Sequence, residues 1–260
     1  EGSLPHHVYE KCKKDHKECL VLCMEGHTNS QDFEGVEAID LPVHSISKIL
    51  SAIEKFGAKK VILAGKVKRI KLSRLLFDIK GAQLFAKIMR NGVADDTLLR
   101  SIIAFLESEG LKVIPADAIV TNMFGEKGCL TSTKPNSHEL DEINSGKKIL
   151  RDISKHDMGQ ALVIQAGLIL GVEAAEGTDE LIHRCGTIQQ KIDEKPILIK
   201  MMKVSQDKKV DVPCIGLDTI RNLHEANIKG VAIEAKKTYI LDKKQTIKLA
   251  NDLKIFIYGF

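Results

Sequence analysis

The sequence predicts an α/β fold with two domains, an N-terminal doubly wound Rossmann-like parallel sheet and a C-terminal mixed α/β domain. Over residues 1–120, short apolar runs alternate with helical stripes, a pattern typical of parallel strands joined by right-handed crossovers. Residues 121–138 are rich in turn formers and lack hydrophobic periodicity, which is typical of a linker. Residues 139–260 again mix strands and helices, with more strands adjacent in sequence.

The N-terminal domain begins without a strand. The chain opens Glu1-Gly2-Ser3-Leu4-Pro5, and the Gly-Ser turn leads into an expected helix over residues 6–17. We expect the strand that should precede this turn to be missing. The first strand that the sequence itself offers is then the apolar run at residues 20–24.

Apolar residues at helical spacing predict two further helices in this domain. One stripe covers residues 46–53 and stops at Gly57, and the other covers residues 98–106 and stops at Gly110. Glycine just past the last helical residue is a common helix terminator. The strands expected beside these helices lie at residues 61–64 and 113–114.

The second domain is predicted to contain an amphipathic helix over residues 139–155 and several short strands. Asp218 is expected to cap a helix that runs to about residue 227. The expected strands are residues 162–164, 168–172, 196–200, 231–233 and 255–258, and the other expected helices are residues 180–185 and 243–253.

Composition and motifs disfavour several classes of function. The formal net charge is only +4 and the charges are dispersed, which disfavours a nucleic-acid-binding protein. No apolar run approaches the roughly 18 residues of a membrane span, and the first 30 residues lack a secretory signal pattern. No Gly-x-Ser-x-Gly or cysteine–histidine nucleophile signature is present.

The densest polar cluster beside an apolar run is Glu173 to Asp179, directly after the expected strand at residues 168–172. Acids and a threonine between a strand and a helix N-terminus lie where open α/β sheets bind ligands. Backbone N–H groups there favour phosphate, and carboxylates can hold Mg²⁺ beside it. The alternative is ordinary helix capping by Thr178 or Asp179, with Glu176 favoured by the helix dipole.

A second cluster joins basic and acidic residues at positions 200–216. Lysines interleaved with Asp207 and Asp211 suit a metal-bound pyrophosphate, because cations neutralise the phosphates while carboxylates hold the metal. The alternative is a solvated charged loop. The position of Asp211 between Val210 and Pro213 favours a functional role for that acid.

Two weaker clusters lie in the N-terminal half. Asp95 and Asp96 precede a helical stripe, so they form either a metal site or a favourable first helical turn. The Gly65-Lys66 pair follows an expected strand and fits contact with a phosphate, although no Walker pattern accompanies it.

These motifs resemble the UDP-2,3-diacylglucosamine pyrophosphatases of lipid A biosynthesis, the type unrelated to calcineurin-like phosphoesterases. The resemblance covers nearly the whole chain. Its specific strings are Glu173-Ala-Ala-Glu-Gly-Thr-Asp179 and Gln206-Asp-x-x-Val-Asp-x-Pro213. Weaker strings are Gly2–Pro5, Ala64–Val67, Asp95–Arg100, His156–Gln160 and Ile233–Ala235.

The resemblance implies a cytoplasmic two-domain enzyme of a Gram-negative bacterium that uses water and a divalent metal, usually Mg²⁺. Its products are UMP and 2,3-diacylglucosamine 1-phosphate (lipid X), and its substrate lies between the domains. The acid corresponding to Asp211 is critical for activity. The chain departs from the family where Ile70 follows Arg69 and where Val204-Ser205 follows Lys203, and the family often has proline at both places.

The resemblance and the clusters together predict the site residues. Asp211 is the predicted catalytic residue, and Asp211, Glu173 and Asp207 are the predicted metal ligands. The predicted substrate-binding residues are Gly2, Ser3, Leu4, Gly65, Lys66, Asp95, Asp96, Gln160, Glu176, Gly177, Thr178, Asp179, Lys203 and Gln206.

The implied substrate carries two acyl chains, so we expect the protein to lie at the inner membrane as a weak peripheral partner held by dispersed lysines. A homo-oligomer stays open. Two other functions also stay open at this point. The chain could be another UDP-sugar enzyme such as a glycosyltransferase, which would release UDP, or a nucleotide-lipid carrier without turnover.

Overall fold

The computed structural model describes residues 3–65, 71–92, 95–156, 158–204, 209 and 212–260, with only the backbone of residues 95 and 96. The chain divides into two compact units. Unit 1 comprises Glu1–Asn122 with Asp207–Val210, and unit 2 comprises Met123–Gln206 with Asp211–Phe260. Both units combine helices with strands, which confirms the α/β class with two domains.

Unit 1 has the strands and helices that its hydrophobic pattern predicts, together with a strand at Glu37–Leu41 and a helix at Ile79–Asn91 that the pattern did not predict. Strand β1 has the predicted bounds, and the second helix ends at Gly57, whose φ of 79° is the left-handed conformation that favours glycine. The helices are α1 (Leu4–Lys14), α2 (Ile46–Phe56), α3 (Ile79–Asn91) and α4 (Asp95–Ser108). The strands are β1 (Leu20–Met24), β2 (Glu37–Leu41), β3 (Lys60–Val61) and β4 (Lys112–Val113), and 3-10 helices lie at Ser30–Asp32, Leu72–Phe77 and Ala116–Ala118.

The strands of unit 1 pair in parallel, but the described residues form two separate sheets rather than one continuous doubly wound sheet. Strand β1 pairs with β2, and β3 pairs with β4. Of the strand expected at residues 61–64, Val61 alone pairs within the described part of the chain, together with Lys60 just before it, and the chain turns at Gly65, where φ is 88°. A ladder of two residue pairs is too short to extend the sheet.

The described residues of unit 1 form two small cores that stabilise it. The larger joins α3, α4, β4 and the 3-10 helix before α3, and the smaller packs α1 against β1. The buried members of the larger core are Leu75, Leu84, Ile88, Ile103, Phe105, Leu106 and Val113, and those of the smaller core are Tyr9, Cys23 and Phe33.

Unit 2 has the strands and helices that its apolar runs predict, together with three unpredicted two-residue strands at Gly128–Cys129, Cys214–Ile215 and Tyr239–Ile240, and one helix cap differs from the prediction. The helix expected to start at Asp218 has Gly216 as its N-cap, and Asp218 instead pairs with Arg221 at 2.6 Å. The helices are α5 (Ser137–Ser154), α6 (Thr178–Ile188), α7 (Leu217–Glu225) and α8 (Lys243–Asp252). The strands are β5 (Gly128–Cys129), β6 (Ala161–Gln165), β7 (Leu168–Val172), β8 (Ile197–Lys200), β9 (Cys214–Ile215), β10 (Gly230–Ile233), β11 (Tyr239–Ile240) and β12 (Phe256–Gly259).

A six-stranded mixed sheet in the order β5-β12-β10-β8-β6-β7 forms the centre of unit 2. Alternate residues of β6 face opposite cores: Val163 packs in the core that contains α6, α7 and α8, and Leu162 packs in the core that contains α5. Both faces of the sheet are therefore covered by helices, which explains why β6 and β8 are apolar runs rather than alternating patterns.

Helix α5 is the longest of the described helices, and a capping box fixes its start. The Asn136 side chain accepts from the Glu139 N–H at 2.9 Å, and the Glu139 carboxylate accepts from the Asn136 N–H at 2.7 Å. None of the helices in the described ranges has the length and apolar character needed to cross a membrane.

Candidate active site

The polar residues at one edge of the six-stranded sheet come from four neighbouring strands. Parallel strands β7, β8 and β10 end at this edge, and β6 begins there because it runs antiparallel to β7 and β8. The residues at these strand ends are Gln160, Glu173, Lys200 and Glu234. Backbone hydrogen bonds join them pairwise to the neighbouring strand, since Glu173 N–H donates to Ala161 O at 2.8 Å and Glu234 N–H donates to Lys200 O at 3.1 Å.

Glu173 is a buried carboxylate with a donor on each oxygen. The residue as a whole is only 6% exposed. Its Oε2 accepts from the backbone N–H of Gln160 at 2.8 Å, and its Oε1 accepts from the hydroxyl of Thr178 at 2.7 Å. Two hydrogen bonds compensate much of the cost of burying this charge.

Gly159 allows Gln160 to reach the Glu173 carboxylate. A Cβ atom at position 159 would lie 2.0 Å from the carbonyl oxygen of Glu173, so any side chain there would force one of the two backbone segments to shift. The glycine in the His156–Gln160 string is therefore required for close approach of two backbone segments.

Lys200 ends strand β8 and is also buried. Its ammonium donates to the Thr178 hydroxyl at 2.8 Å, and that hydroxyl donates in turn to Glu173. A hydroxyl can donate one hydrogen bond while it accepts another, so Thr178 joins the cation to the anion. The trio Lys200–Thr178–Glu173, which we call the buried relay, places a positive and a negative charge together inside the protein.

The relay lies at the start of helix α6. Its N-cap is Gly177, whose φ of 86° is a conformation that favours glycine, and none of the described side chains caps the helix. The alternative of capping by Thr178 or Asp179 is therefore wrong, because the Thr178 side chain turns into the relay. A helix N-terminus presents unpaired backbone N–H groups that favour a phosphate.

The two remaining predicted acids of this cluster are on the surface. The Glu176 carboxylate pairs with Arg184 at 3.0 Å, and Asp179 accepts from the Asn222 amide at 3.0 Å. A hydrogen bond from its own backbone N–H and the neighbouring Arg184 guanidinium hold the pKa of Glu176 below its ordinary value. Both acids therefore have protein partners that a substrate would have to share or displace.

Lys200 and Glu234 were not among the predicted site residues. Glu234 is 9% exposed, and its carboxylate accepts from the Met202 N–H at 3.2 Å and pairs with Lys237 at 2.7 Å. Each residue carries a charge directly at the end of a buried apolar strand, which is the sequence signal that could have identified them.

The structure brings together one group of predicted residues, namely Gln160, Glu173, Glu176, Gly177, Thr178 and Asp179, in unit 2. Lys203 follows β8 in the same unit. In unit 1, Ser3 is the N-cap of α1, Leu4 is its first residue, Gly65 follows β3, and Asp95 and Asp96 begin α4. Five predicted residues, Gly2, Lys66, Gln206, Asp207 and Asp211, lie outside the described residues.

The donor set at this edge is compatible with a divalent metal but does not by itself complete a ligand shell. A carboxylate offers about four lone-pair positions, and the hydrogen bonds on Glu173 occupy one on each oxygen. Within the described ranges, no three His, Cys, Asp or Glu side chains converge as a metal cluster. Metal binding by Glu173 with Asp207 and Asp211 stays a prediction.

Comparison with known proteins finds matches over both units. Residues 1–123 match the family model described as the LpxI N-terminal domain, and residues 126–258 match the one described as the LpxI C-terminal domain. A relative from Caulobacter vibrioides, the UDP-2,3-diacylglucosamine pyrophosphatase LpxI, is 28% identical over 266 residues. The alignment covers 99% of this chain and 94% of the relative.

Proposed function

The chain belongs to the LpxI family, and from that premise we propose that it hydrolyses the pyrophosphate bond of UDP-2,3-diacylglucosamine. The products are UMP and 2,3-diacylglucosamine 1-phosphate. The observation that carries this proposal is the full-length similarity to a relative with that named activity, over 99% of this chain.

The chemistry of the sheet edge supports the same reaction. A pyrophosphate diester carries two negative charges that repel incoming water and that must be balanced while the bond breaks. The start of α6 offers backbone N–H groups to a phosphate, and the Lys200 ammonium lies 2.8 Å from the first side chain of that helix. Glu173 holds that side chain in place, so the cation and the helix start have a fixed relation.

The proposed cofactor is Mg²⁺ or another divalent metal, held by Asp207 and Asp211 together with Glu173. When bound, such a metal would neutralise phosphate charge and lower the pKa of a water molecule. Asp211 is the proposed catalytic residue, which would hold the metal or activate the water, and the other predicted binding residues would orient the substrate. The proposed substrate contacts in unit 2 include Thr178 of the relay, Gln160, whose backbone N–H donates to Glu173, and Lys203, which follows β8.

A substrate with two acyl chains also favours a protein that works at a membrane surface. We therefore include peripheral contact with the inner membrane in the proposed function, and a cytoplasmic location follows from the nucleotide half of the substrate.

The test is product analysis with the full chain, UDP-2,3-diacylglucosamine, Mg²⁺ and ¹⁸O water. We expect UMP and the 1-phosphate lipid, with one ¹⁸O atom in whichever product contains the attacked phosphorus. Release of UDP would identify another UDP-sugar enzyme, and binding without turnover would identify a carrier.

A matched variant sharpens this test. Asp211→Asn keeps the size of the side chain and should lower turnover by at least about 100-fold, on the scale of a general-base contribution, with a melting temperature near that of the wild type. Retention of more than a tenth of wild-type turnover would contradict the role of Asp211. Chelation by EDTA should abolish turnover, and readdition of Mg²⁺ should restore it.

A further inference from the structure

Three large apolar side chains project from one short segment of unit 1. Leu76, Phe77 and Ile79 are 53%, 90% and 81% exposed, and we call them the apolar turn. Across the described residues, no other large hydrophobic side chain is as exposed as Phe77 or Ile79. Scattered exposed hydrophobics are ordinary, but three within four positions form a patch that requires an explanation.

The apolar turn is held firmly by the residues between its members. Leu75 is 2% exposed and packs in the larger core of unit 1. The Asp78 carboxylate accepts from the backbone N–H of Ser47 at 2.9 Å, from the Ser47 hydroxyl at 2.7 Å and from the Gly81 N–H at 2.8 Å. Leu75 and Asp78 are therefore fixed against the protein, and Phe77 and Ile79 beside them point to the solvent.

The same segment is strongly basic. Residues 66–77 contain five lysines and arginines and no acid. Of these, Lys71 and Arg74 are described and exposed. The first acid, Asp78, is bound to Ser47 and Gly81, so its charge is directed into the protein. Exposed apolar side chains and a neighbouring run of basic residues are two separate features, and together they anchor a protein to an anionic membrane.

We propose that the apolar turn inserts into the interfacial layer of an anionic lipid bilayer, with Lys71 and Arg74 on the lipid phosphates. This inference rests on the proposed function, since an enzyme whose substrate carries two acyl chains meets that substrate at a bilayer. The sequence alone predicted a weak contact through dispersed lysines. The proposed contact is instead one defined segment, which binds by apolar insertion as well as by electrostatic attraction.

The shape and charge of the turn exclude two other occupants. An acyl-binding pocket is concave and encloses most of its ligand, whereas Phe77 is 90% exposed on a projecting turn. A second copy of the chain on the same turn would bring the same lysines and arginines face to face, and like charges repel. A bilayer with anionic headgroups satisfies both the apolar and the basic side chains.

Tryptophan fluorescence gives a direct test, because the chain contains no tryptophan. In Phe77→Trp, vesicles of phosphatidylglycerol and phosphatidylethanolamine should shift the emission to shorter wavelength, and lipids brominated near the headgroup should quench it. Leu168→Trp is the matched control, since Leu168, the first residue of β7 in unit 2, is 51% exposed. Equal behaviour of the two variants, or no shift in Phe77→Trp, would overturn the proposal.

Vesicle flotation measures the apolar and the electrostatic contributions to membrane binding separately. Phe77→Ser with Ile79→Ser should weaken partitioning at least about tenfold, because apolar burial is lost. Lys71→Gln with Arg74→Gln should weaken it about 30-fold at low salt and much less near 0.5 M salt. The control pair Lys244→Gln with Lys248→Gln, on exposed positions of α8, should change it little. If the control pair weakened partitioning as much as Lys71→Gln with Arg74→Gln, the membrane contact would depend on lysines dispersed over the surface and not on the apolar turn.

Activity assays distinguish failure of this inference from failure of the proposed function. With substrate in detergent micelles, the serine variant should turn over at the wild-type rate, and with substrate in vesicles it should be slower. Loss in both assays would mean that the turn serves the reaction itself, which contradicts the docking role. Vesicle binding as expected without any hydrolysis would contradict only the proposed function. A change of oligomeric state in the serine variant, measured by light scattering, would identify a protein interface instead.

Discussion

The ammonium of Lys200 donates a hydrogen bond of 2.8 Å to the hydroxyl of Thr178, a residue 22 positions earlier in the chain. Through that hydroxyl, the end of strand β8 is joined to the start of helix α6 and to the Glu173 carboxylate. Both charged residues are buried, so the hydroxyl between them matters to each: it accepts from the Lys200 ammonium and donates to one oxygen of Glu173, whose other oxygen accepts from the Gln160 N–H. The buried relay thus stabilises unit 2 and also orients the proposed phosphate site.

Removal of the hydroxyl should cost stability as well as activity. Thr178→Val leaves the Lys200 ammonium and one oxygen of Glu173 without their shared partner, so we expect the free energy of unfolding to fall by about 2–4 kcal/mol. Thr178→Ser keeps the hydroxyl and should lose less than about 1 kcal/mol. Urea unfolding measures the free energy of unfolding of both variants. Equal losses in Thr178→Val and Thr178→Ser would show that the hydroxyl does not stabilise the two buried charges.

The two charges of the relay should be energetically coupled. Lys200→Met leaves the Glu173 charge buried without its cation, and Glu173→Gln leaves the ammonium without its anion. Each single variant should destabilise by about 3 kcal/mol, and the double variant by clearly less than their sum. Additive losses in the double-mutant cycle would mean that the charges act independently.

Gly159→Ala should be unusually damaging for so small a change. Its Cβ would lie 2.0 Å from the Glu173 carbonyl oxygen, and a backbone clash cannot be relieved by a rotamer change. We expect a loss of about 1–3 kcal/mol in unfolding free energy, as for an overpacked core, and a fall in turnover as Glu173 shifts.

Gly216→Ala is the matched control, because its Cβ would meet the nearest atom, Leu241 Cβ, at an ordinary 3.5 Å. It should cost less than about 1 kcal/mol, on the scale of an N-cap change. If Gly159→Ala were as well tolerated as this control, the close approach would not be required.

The stability of unit 1 should depend on acid pH through Asp78. Burial opposes ionisation of Asp78, but hydrogen bonds from Gly81 and Ser47 outweigh it and hold the pKa of its carboxyl below the ordinary value. A lowered folded-state pKa contributes stability that is present above the unfolded-state pKa, near 3.9, and that is lost as the pH falls through the folded-state pKa.

Asp78→Asn should therefore lower stability at neutral pH and flatten its decline below about pH 4. Asp141→Asn, at an exposed position of α5, should leave the pH profile unchanged. The measurement is urea unfolding between about pH 3 and pH 7. Parallel pH profiles of wild type and Asp78→Asn would contradict the prediction.

Local pattern was sufficient for most elements but not for their pairing. The apolar run at Leu20–Met24 and the terminating Gly57 were predicted correctly, because burial and left-handed φ have strong residue preferences. The predicted N-cap of α7, Asp218, was wrong. Asp218 and Gly216 are both acceptable N-caps, and only the packing of the chain selects Gly216. The short ladder of β3 with β4 also could not be foreseen from the apolar run at residues 61–64.

By itself, the sequence determined the α/β class, the family and the cluster from Glu173 to Asp179, because these depend on residue type and local spacing. Only the tertiary structure decided what that cluster does. It turned Thr178 inward to Lys200, which the chain order places beyond α6, and it paired Glu176 and Asp179 with surface partners. It also turned Phe77 and Ile79 outward while Leu75 and Asp78 turned inward. The physical reason is that a buried charge and an exposed apolar side chain are defined by what surrounds them, and those surroundings come from distant parts of the chain.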